Sequence, residues 1–131
     1  MLLKKFFKNN RMQKKTLVIG ASLKEERYSN LAIKLLRKYN HPVVAIGLRK
    51  GTVADVEIIT NKPQISDIHT VTMYINPKRQ DEFFDYILNL SPQRIIFNPG
   101  TENDLLIQAA QKKGIETVEN CTLVMLRSKL F

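Results

Sequence analysis

Apolar residues of this chain fall into short runs, and each run ends near a glycine, an asparagine or a proline. Runs of this length that are continuous rather than alternating are typical of buried strands in a parallel sheet. The first run, Thr16-Leu17-Val18-Ile19, stops at Gly20. Further strands are predicted at residues 43–46, 71–75, 94–97 and 116–119, with a short edge strand at residues 56–59.

Stretches with helical periodicity separate these strands. A first helix is predicted over residues 30–39, with either Ser29 or the earlier pair Ser22 and Glu25 capping its N-terminus. Asn76-Pro77 opens a second helix, and Thr101 caps a third that ends at Gly114. The predicted core positions are Ala32, Leu35, Leu36 and Tyr39 in the first helix, Phe83, Phe84, Ile87 and Leu88 in the second, and Leu105, Leu106, Ala109 and Ala110 in the third. A short helix or turn at residues 121–126 closes the chain.

The alternation of strands and helices predicts the fold. The elements follow the order β-α-β-(β)-β-α-β-α-β, and right-handed crossovers turn this order into a doubly wound parallel sheet. The prediction is an α/β fold with a Rossmann-like doubly wound parallel sheet and three α/β/α layers in a single domain. The domain is assigned to residues 16–131, and residues 1–15 are assigned to a basic N-terminal extension.

Three loops at the predicted carboxyl ends of strands have the chemistry of a ligand site. They are Gly20-Ala21-Ser22, residues 47–51, and Asn76-Pro77. Glycine and small side chains let backbone N–H groups approach an anion, and the helix that follows adds its positive end. The first loop lacks the second and third glycines of the dinucleotide-binding motif G-x-G-x-x-G. The alternative that Gly20 only turns the chain therefore stays open. Ligands of doubly wound sheets lie beside such strand ends.

Two adjacent cations follow the second predicted strand. An NAD site normally has an acidic residue there for the ribose diol, whereas this chain has Arg49 and Lys50. Cations at this place favour a phosphorylated ribose, so NADP or coenzyme A is favoured over NAD. The alternative is that both side chains are solvated turn residues.

The net charge of +9 is concentrated near the start of the chain, because residues 1–15 hold six basic residues and no acidic one. With four apolar residues among the bases, this extension could contact an anionic membrane or RNA. A disordered extension, or translation from an upstream start codon, is the favoured interpretation, and no nucleic-acid partner is expected. No window approaches the ~18 apolar residues of a membrane span, and no signal peptide is evident. The single Cys121 fits a reducing compartment, so a cytoplasmic location is expected.

The sequence contains little catalytic machinery. His41 lies beside a helix-ending proline and His69 before a strand, and neither position is typical of a general base. No nucleophile elbow, metal-spaced Cys/His cluster or P-loop is present. Cys121 is the one candidate nucleophile, and a structural role is favoured for it. We therefore expect a binding module rather than an enzyme, with an NADP-binding redox sensor or oxidoreductase component as the alternative.

Several motifs together resemble one family, the small stand-alone CoA-binding proteins related to the CoA-binding domain of the succinyl-CoA synthetase alpha subunit. They are Val18-Ile19-Gly20-Ala21-Ser22, Arg27-x-Ser29-x-x-Ala32, Ile75-Asn76-Pro77, Phe97-Asn98-Pro99-Gly100, and Gly114-Ile115 leading to Cys121. The resemblance covers most of residues 16–125. It implies a Rossmann-like site for a nucleotide ligand, coenzyme A or an acyl-CoA, and leaves homo-oligomers open.

The resemblance also implies roles for individual residues. The loop Gly20-Ala21-Ser22 would face the pyrophosphate, flanked by Arg27 and Ser29. Arg49 or Lys50 would meet the adenosine-side phosphates, and the segment Ile75-Asn76-Pro77 the adenine or pantetheine. Family members often have an Asn-Pro-Lys-like segment after the second strand, whereas this chain has Gly47-Leu48-Arg49-Lys50. Which of the two bases meets phosphate is therefore left open by the sequence.

Overall fold

The computed structural model describes residues 13–131, and nearly all of the basic extension predicted at residues 1–15 lies outside them. The described residues form seven strands, β1 (Thr16–Ala21), β2 (Val43–Gly47), β3 (Gly51–Val53), β4 (Val56–Ile59), β5 (Thr70–Met73), β6 (Arg94–Phe97) and β7 (Glu116–Glu119). The helices are α1 (Tyr28–Lys38), α2 (Pro77–Gln80), α3 (Phe84–Leu90), α4 (Asp104–Lys112) and α5 (Thr122–Arg127), with a 3-10 turn at Asp81–Phe83. No helix within residues 13–131 is long and apolar enough to cross a bilayer.

The strands form one sheet in the order β3-β4-β2-β1-β5-β6-β7. Every neighbouring pair is parallel except β3 with β4. The predicted Rossmann-like doubly wound sheet is therefore confirmed. Residues 56–59 form the predicted strand, which is β4, but its predicted edge position is wrong, because β3 pairs with β4 and takes the edge. Ala54, in the tight turn between them, has a φ of +54°.

Two apolar cores cover the two faces of this sheet. Leu17 and Ile19 of β1 face a core that also holds Ile87 of α3 and Leu106 of α4. Val18 faces the other core, together with Ile33 and Leu36 of α1 and Leu126 of α5. Side chains of a strand alternate between faces, so one strand supplies both cores. The arrangement gives the three α/β/α layers predicted from the sequence.

The first helix differs in its ends from the prediction. The N-cap of α1 is Arg27, and Ser29 lies buried in the first turn rather than capping the helix. The buried face is formed by Ala32, Ile33 and Leu36, a set with the i, i+3, i+4 spacing of one helix face. Tyr39 was predicted on this face but is 43% exposed, because the chain leaves helical geometry there.

The second predicted helix begins as predicted but is divided in the structure into α2, the 3-10 turn and α3. The Asn76 side chain accepts a hydrogen bond from the Arg79 amide at 3.0 Å, and Pro77 takes the first helical position. The chain then tightens into the 3-10 turn, so that Phe83 precedes α3 instead of continuing one helix. Phe83 and Ile87 are nevertheless buried, as the apolar periodicity predicted.

The third predicted helix is α4, and it begins two residues later than the predicted cap at Thr101 implies. Its N-cap is Asn103, whose side chain accepts from the Leu106 amide, whereas the Thr101 hydroxyl donates to the carbonyl of Asn98. Leu106 and Ala110 are buried at i, i+4 spacing. Leu105 is 73% exposed instead of buried, because it lies about 100° around the helix from Leu106.

Candidate functional site

A cleft of about 940 Å³ opens at the carboxyl edge of the sheet. Its lining includes Gly20 and Ala21 at the end of β1, Ile46 at the end of β2, and Tyr74 just after β5. The chain leaves β1 toward α1 on one face and leaves β5 toward α3 on the other, so the two exit loops diverge. This is the topological switch point at which doubly wound sheets bind ligands, and the volume lies in the upper range of small-molecule sites.

Two glycines allow the strand ends to meet at the cleft floor. Gly20 has a φ of +99°, and a Cβ there would lie 2.9 Å from the carbonyl carbon and oxygen of Tyr74. A Cβ on Gly47 would lie 2.3 Å from the carbonyl oxygen of Ala21. Both contacts are with backbone that cannot move aside as a side-chain tip can. Glycine is therefore required at both positions for this packing.

The loop after β1 is tied to the helix that follows it. The Ser22 hydroxyl accepts a hydrogen bond from the Lys24 amide at 3.1 Å. The buried Asn30 side chain, in the first turn of α1, donates to the Ser22 carbonyl at 2.9 Å. Within residues 13–131 no side chain caps the N-terminus of α1, where Arg27 is the cap residue. The positive end of the helix therefore stays available to an anion beside the loop.

The charged side chains that line the cleft are predominantly basic. Five are cationic, namely Lys24, Arg27, Arg49, Lys62 and Arg79, against the two acids Glu26 and Glu82. The Lys62 ammonium lies 4.8 Å from the centre of the Phe83 ring. This cation–π contact holds the ammonium at the cleft mouth. A cleft of this charge favours anionic ligands by raising their local concentration.

Seven of the ten predicted site residues line this one cleft. They are Gly20, Ala21, Ser22, Arg27, Ser29, Arg49 and Ile75. Lys50, next to Arg49 in the chain, instead lines a separate small depression formed with β3 and β4. Asn76 and Pro77 are outside the cleft lining and open α2. The roles of all ten toward a ligand stay predictions.

Other lining residues were not predicted as site residues. Lys62 and Phe83 reach the cleft through the tertiary fold, and no local pattern singles them out. Tyr28 and Leu48 each adjoin a predicted cation, and their exposure despite their apolar character is visible only in the structure. Asn98 follows β6 in an exit loop of the same type as the three that were singled out. The position of Asn98 at the end of a strand is the sequence signal that could have identified it as a cleft residue.

Asn98 is the centre of a buried hydrogen-bond network beneath the cleft. Its amide nitrogen donates to the Thr72 hydroxyl at 2.8 Å and to the Met73 carbonyl at 2.7 Å. Its oxygen accepts from the Thr122 amide at 2.8 Å, and the hydroxyls of Thr72 and Thr122 are also 2.8 Å apart. The network joins β5, β6 and the start of α5. It thereby places Cys121, the N-cap of α5, in the cleft wall.

Tyr74 occupies the cleft wall near Cys121. Its hydroxyl is buried and has no hydrogen-bond partner within residues 13–131. Burial raises the pKa of Tyr74 well above its usual value, and the nearby hydroxyls of Thr122 and Thr72 only partly offset this. The phenol therefore stays protonated well above neutral pH.

The fold and the cleft together define a Rossmann-like α/β protein with a cationic site at the switch point of its sheet. Residues 14–127 match the family model described as a CoA binding domain, and the chain belongs to this family. The resemblance identified from the sequence motifs is thus confirmed at the level of the family. No curated protein matches the chain.

Solved structures share this fold. A crystal structure of an uncharacterized protein is 45% identical, with a TM-score of 0.88 over 91% of this chain and 98% of that chain. The cell-free protein ID.343 from Thermus thermophilus is 16% identical, with a TM-score of 0.80 and 98% of both chains covered. A hypothetical protein from Pyrococcus horikoshii OT3 is 22% identical, with a TM-score of 0.79 over 97% of this chain and 90% of that chain. The last two likenesses concern the fold alone.

Proposed function

We propose that this protein binds coenzyme A, free or acylated, in the cleft at the carboxyl ends of the strands and does not transform it. The observation that carries the proposal is the loop after β1. There, the Gly20 turn and the uncapped N-terminus of α1 open into a cleft of about 940 Å³ whose charged lining is mostly basic. Membership of the CoA binding domain family supports the choice of ligand.

Phosphate groups are the part of coenzyme A that this site suits best. The ligand carries a pyrophosphate and a ribose phosphate. The backbone of the loop Gly20-Ala21-Ser22 and the start of α1 would receive the pyrophosphate, since both offer N–H groups and a positive end. Arg27 and Arg49 line the same cleft and supply charge-assisted hydrogen bonds. Arg49 is our choice over Lys50 for the ribose phosphate, because Lys50 lines a different depression.

Binding without catalysis is supported by where the histidines lie. His41 precedes β2 and His69 precedes β5, so both are at the amino edge of the sheet, opposite the cleft. His41 accepts a hydrogen bond from the Lys14 amide, and His69 contacts the Thr70 hydroxyl. Both rings are thus engaged in structural contacts. A general base for a reaction at the cleft would have to come from another residue type.

The proposal is tested by calorimetric titration of the reduced protein with coenzyme A, dephospho-coenzyme A, NADP and NAD. We expect selective binding of coenzyme A and roughly tenfold or more weaker binding after Arg49→Ala, the range for a lost charge-assisted hydrogen bond. Lys50→Ala is the matched control and leaves the affinity unchanged. Dephospho-coenzyme A, which lacks the ribose phosphate, should bind the wild type and Arg49→Ala about equally.

Other outcomes overturn parts of this proposal. Preference for NADP over coenzyme A would replace it with the redox-sensor alternative, because that ligand shares the phosphorylated ribose. Loss of affinity in Lys50→Ala but not in Arg49→Ala would reverse the assignment of the phosphate contact. Disappearance of the thioester absorbance of acetyl-CoA on incubation with the protein would contradict the non-catalytic role.

A further inference from the structure

Arg94 is a buried cation without an acidic partner, at the edge of the sheet opposite the cleft. It is the first residue of β6 and is 7% exposed. Its Nε donates to the Thr70 hydroxyl at 2.7 Å, but its Nη2 is buried and has no hydrogen-bond partner within residues 13–131. No acidic side chain in that part of the chain forms an ion pair with it. A buried guanidinium N–H without an acceptor is costly, and a bound anion is one partner that satisfies such a group.

Two further donor side chains lie beside Arg94, around a single aromatic ring. The centre of the Phe131 ring is 4.4 Å from Arg94 Cζ, 5.0 Å from the centre of the His41 ring and 5.8 Å from the Lys14 ammonium. Nδ1 of His41 accepts from the Lys14 amide, so Nε2 carries the proton of the neutral ring and is a donor. The Phe131 ring therefore fills a space that three donor side chains bound. We call Lys14, His41 and Arg94 the amino-edge cluster.

The aromatic ring compensates the charges of the amino-edge cluster only in part. Its face attracts cations, but Nη2 of Arg94 still lacks an acceptor. Burial lowers the pKa of Arg94, and burial and then the charge of Arg94 lower the pKa of Lys14, as expected for like charges held together away from water. Glu116, the neighbour of Arg94 on β7, is exposed and offsets this only partly. An anion in place of the ring would pair the charges and accept from Nη2.

The segment that carries Phe131 lies on the surface and is held largely by the cluster itself. Residues 127–130 are exposed, and Lys129 has a φ of +62°, which is unfavourable for a residue with a side chain. The carbonyl of Phe131 accepts from the Lys14 ammonium, and its ring packs on the cluster and against the edge of the core that holds Leu126. An anion bound at the cluster would therefore take over most of the polar contacts that keep the ring in place.

We infer that the amino-edge cluster is a binding site for a small tetrahedral oxyanion, such as inorganic phosphate, and that the ring of Phe131 covers this site. The anion takes the place of the ring and accepts from Arg94, Lys14 and His41. These three donors come from the starts of three different strands, β6, β1 and β2, and a tetrahedral anion offers oxygens in more directions than a planar carboxylate does. The site lies opposite the cleft, so this inference does not depend on the proposed function.

The experiment is an NMR titration with sodium phosphate at pH 7.5, with the ionic strength held constant by sodium chloride. The Nε–H of Arg94 and the ring of His41 report on the amino edge. The backbone amide of Ala21 reports on the cleft, where phosphate is also expected to bind, so the two sites are followed separately.

Four variants test the roles of the cluster and its cover. Phe131→Ala removes the ring, whereas Arg94→Gln and Lys14→Met each remove one cation. Arg127→Gln is the matched control, because it makes the same change at an exposed arginine of α5. The His41 ring is the reporter in all of them.

We expect saturable shifts of the amino-edge signals in the wild type. Phe131→Ala should bind phosphate roughly two- to thirtyfold more tightly, because the anion no longer has to displace a cation–π contact. Arg94→Gln should weaken binding by about tenfold or more, the range for a lost charge-assisted hydrogen bond. Lys14→Met should weaken it in the same direction, and Arg127→Gln should match the wild type.

Three results would overturn the inference. Amino-edge signals that respond to phosphate no more than to chloride would show that no site is present. Unchanged or weaker binding in Phe131→Ala would show that the ring is part of the core rather than a cover. Equal losses in Arg94→Gln and Arg127→Gln would indicate an adventitious ion only. If Arg94→Gln does not fold, the same comparison is made between Lys14→Met and the control, and equal affinities there would also overturn the inference.

Discussion

Mildly acidic solution is expected to lower the free energy of unfolding through His41, which lies at the amino edge of the sheet. The ring is 6% exposed, and its Nδ1 accepts a hydrogen bond from the Lys14 amide at 3.0 Å. An accepting Nδ1 places the proton of the neutral ring on Nε2, so a second proton would have to displace this hydrogen bond. Burial, and then the nearby positive charges of Lys14 and Arg94, lower the pKa of His41 to about 4.

The size and direction of the effect follow from the two pKa values. An unfolded histidine has its ordinary pKa of 6.5, so between pH 6.5 and about 4 the unfolded chain takes up a proton that the folded protein refuses. The contribution of the neutral ring to stability is therefore complete above pH 6.5 and is lost as the pH falls toward 4. At about 1.4 kcal/mol per pH unit, this interval is worth at most about 3.5 kcal/mol.

The assay is urea unfolding at pH 7.5 and at pH 4.5, with His41→Asn as the comparison. Asparagine keeps an acceptor near the position of Nδ1 but does not titrate. We expect the wild type to lose about 2–3 kcal/mol more than the variant between these values. His69, whose pKa is also lowered by burial and by Arg94, is present in both proteins. Equal losses in the two proteins, or an NMR titration of the His41 ring with a midpoint near 6.5, would refute the reasoning.

Two further substitutions test the architecture beneath the cleft. Gly20→Ala should lower stability by about 1–3 kcal/mol and weaken coenzyme A binding, since it adds a clash with the Tyr74 backbone to the strain of a positive φ. Gly114→Ala is its control, with a φ of +79° and open space around a Cβ; equal effects of both in urea melts would exclude a contribution from the clash. Asn98→Ala should cost about 2–4 kcal/mol because it leaves buried groups such as the Thr122 amide unpaired, and a loss below 1 kcal/mol would argue against the network.

Most of the fold could be predicted because its determinants are local. Runs such as Val18-Ile19 and Ile95-Ile96 are apolar on both faces and are bounded by turn residues, as buried parallel strands require. β3 could not be predicted in the same way. It has three residues, no continuous apolar run, and owes its extended form to pairing with β4. Its existence is a tertiary property.

The candidate site divides along the same line. A glycine followed by small residues at a strand end is a local signal, so the Gly20 loop could be located from the sequence alone. The sequence could not decide whether Arg49 or Lys50 faces the cleft, because both are basic residues in the same turn. Only the packed structure shows that they line different surfaces. Lys62 enters the cleft from a segment whose path depends on the core beneath it, so no sequence pattern revealed it.

The two strands at the ends of the sheet also bear on how copies of this protein behave at high concentration. An unpaired strand is a template for intermolecular pairing unless it is short or charged. β3 offers only three residues, with Thr52 exposed, and β7 carries an exposed glutamate at each end, Glu116 and Glu119. Glutamates brought together by two stacked copies of β7 would repel each other. The sheet is thus terminated on both sides by features that oppose aggregation into continuous β-structure.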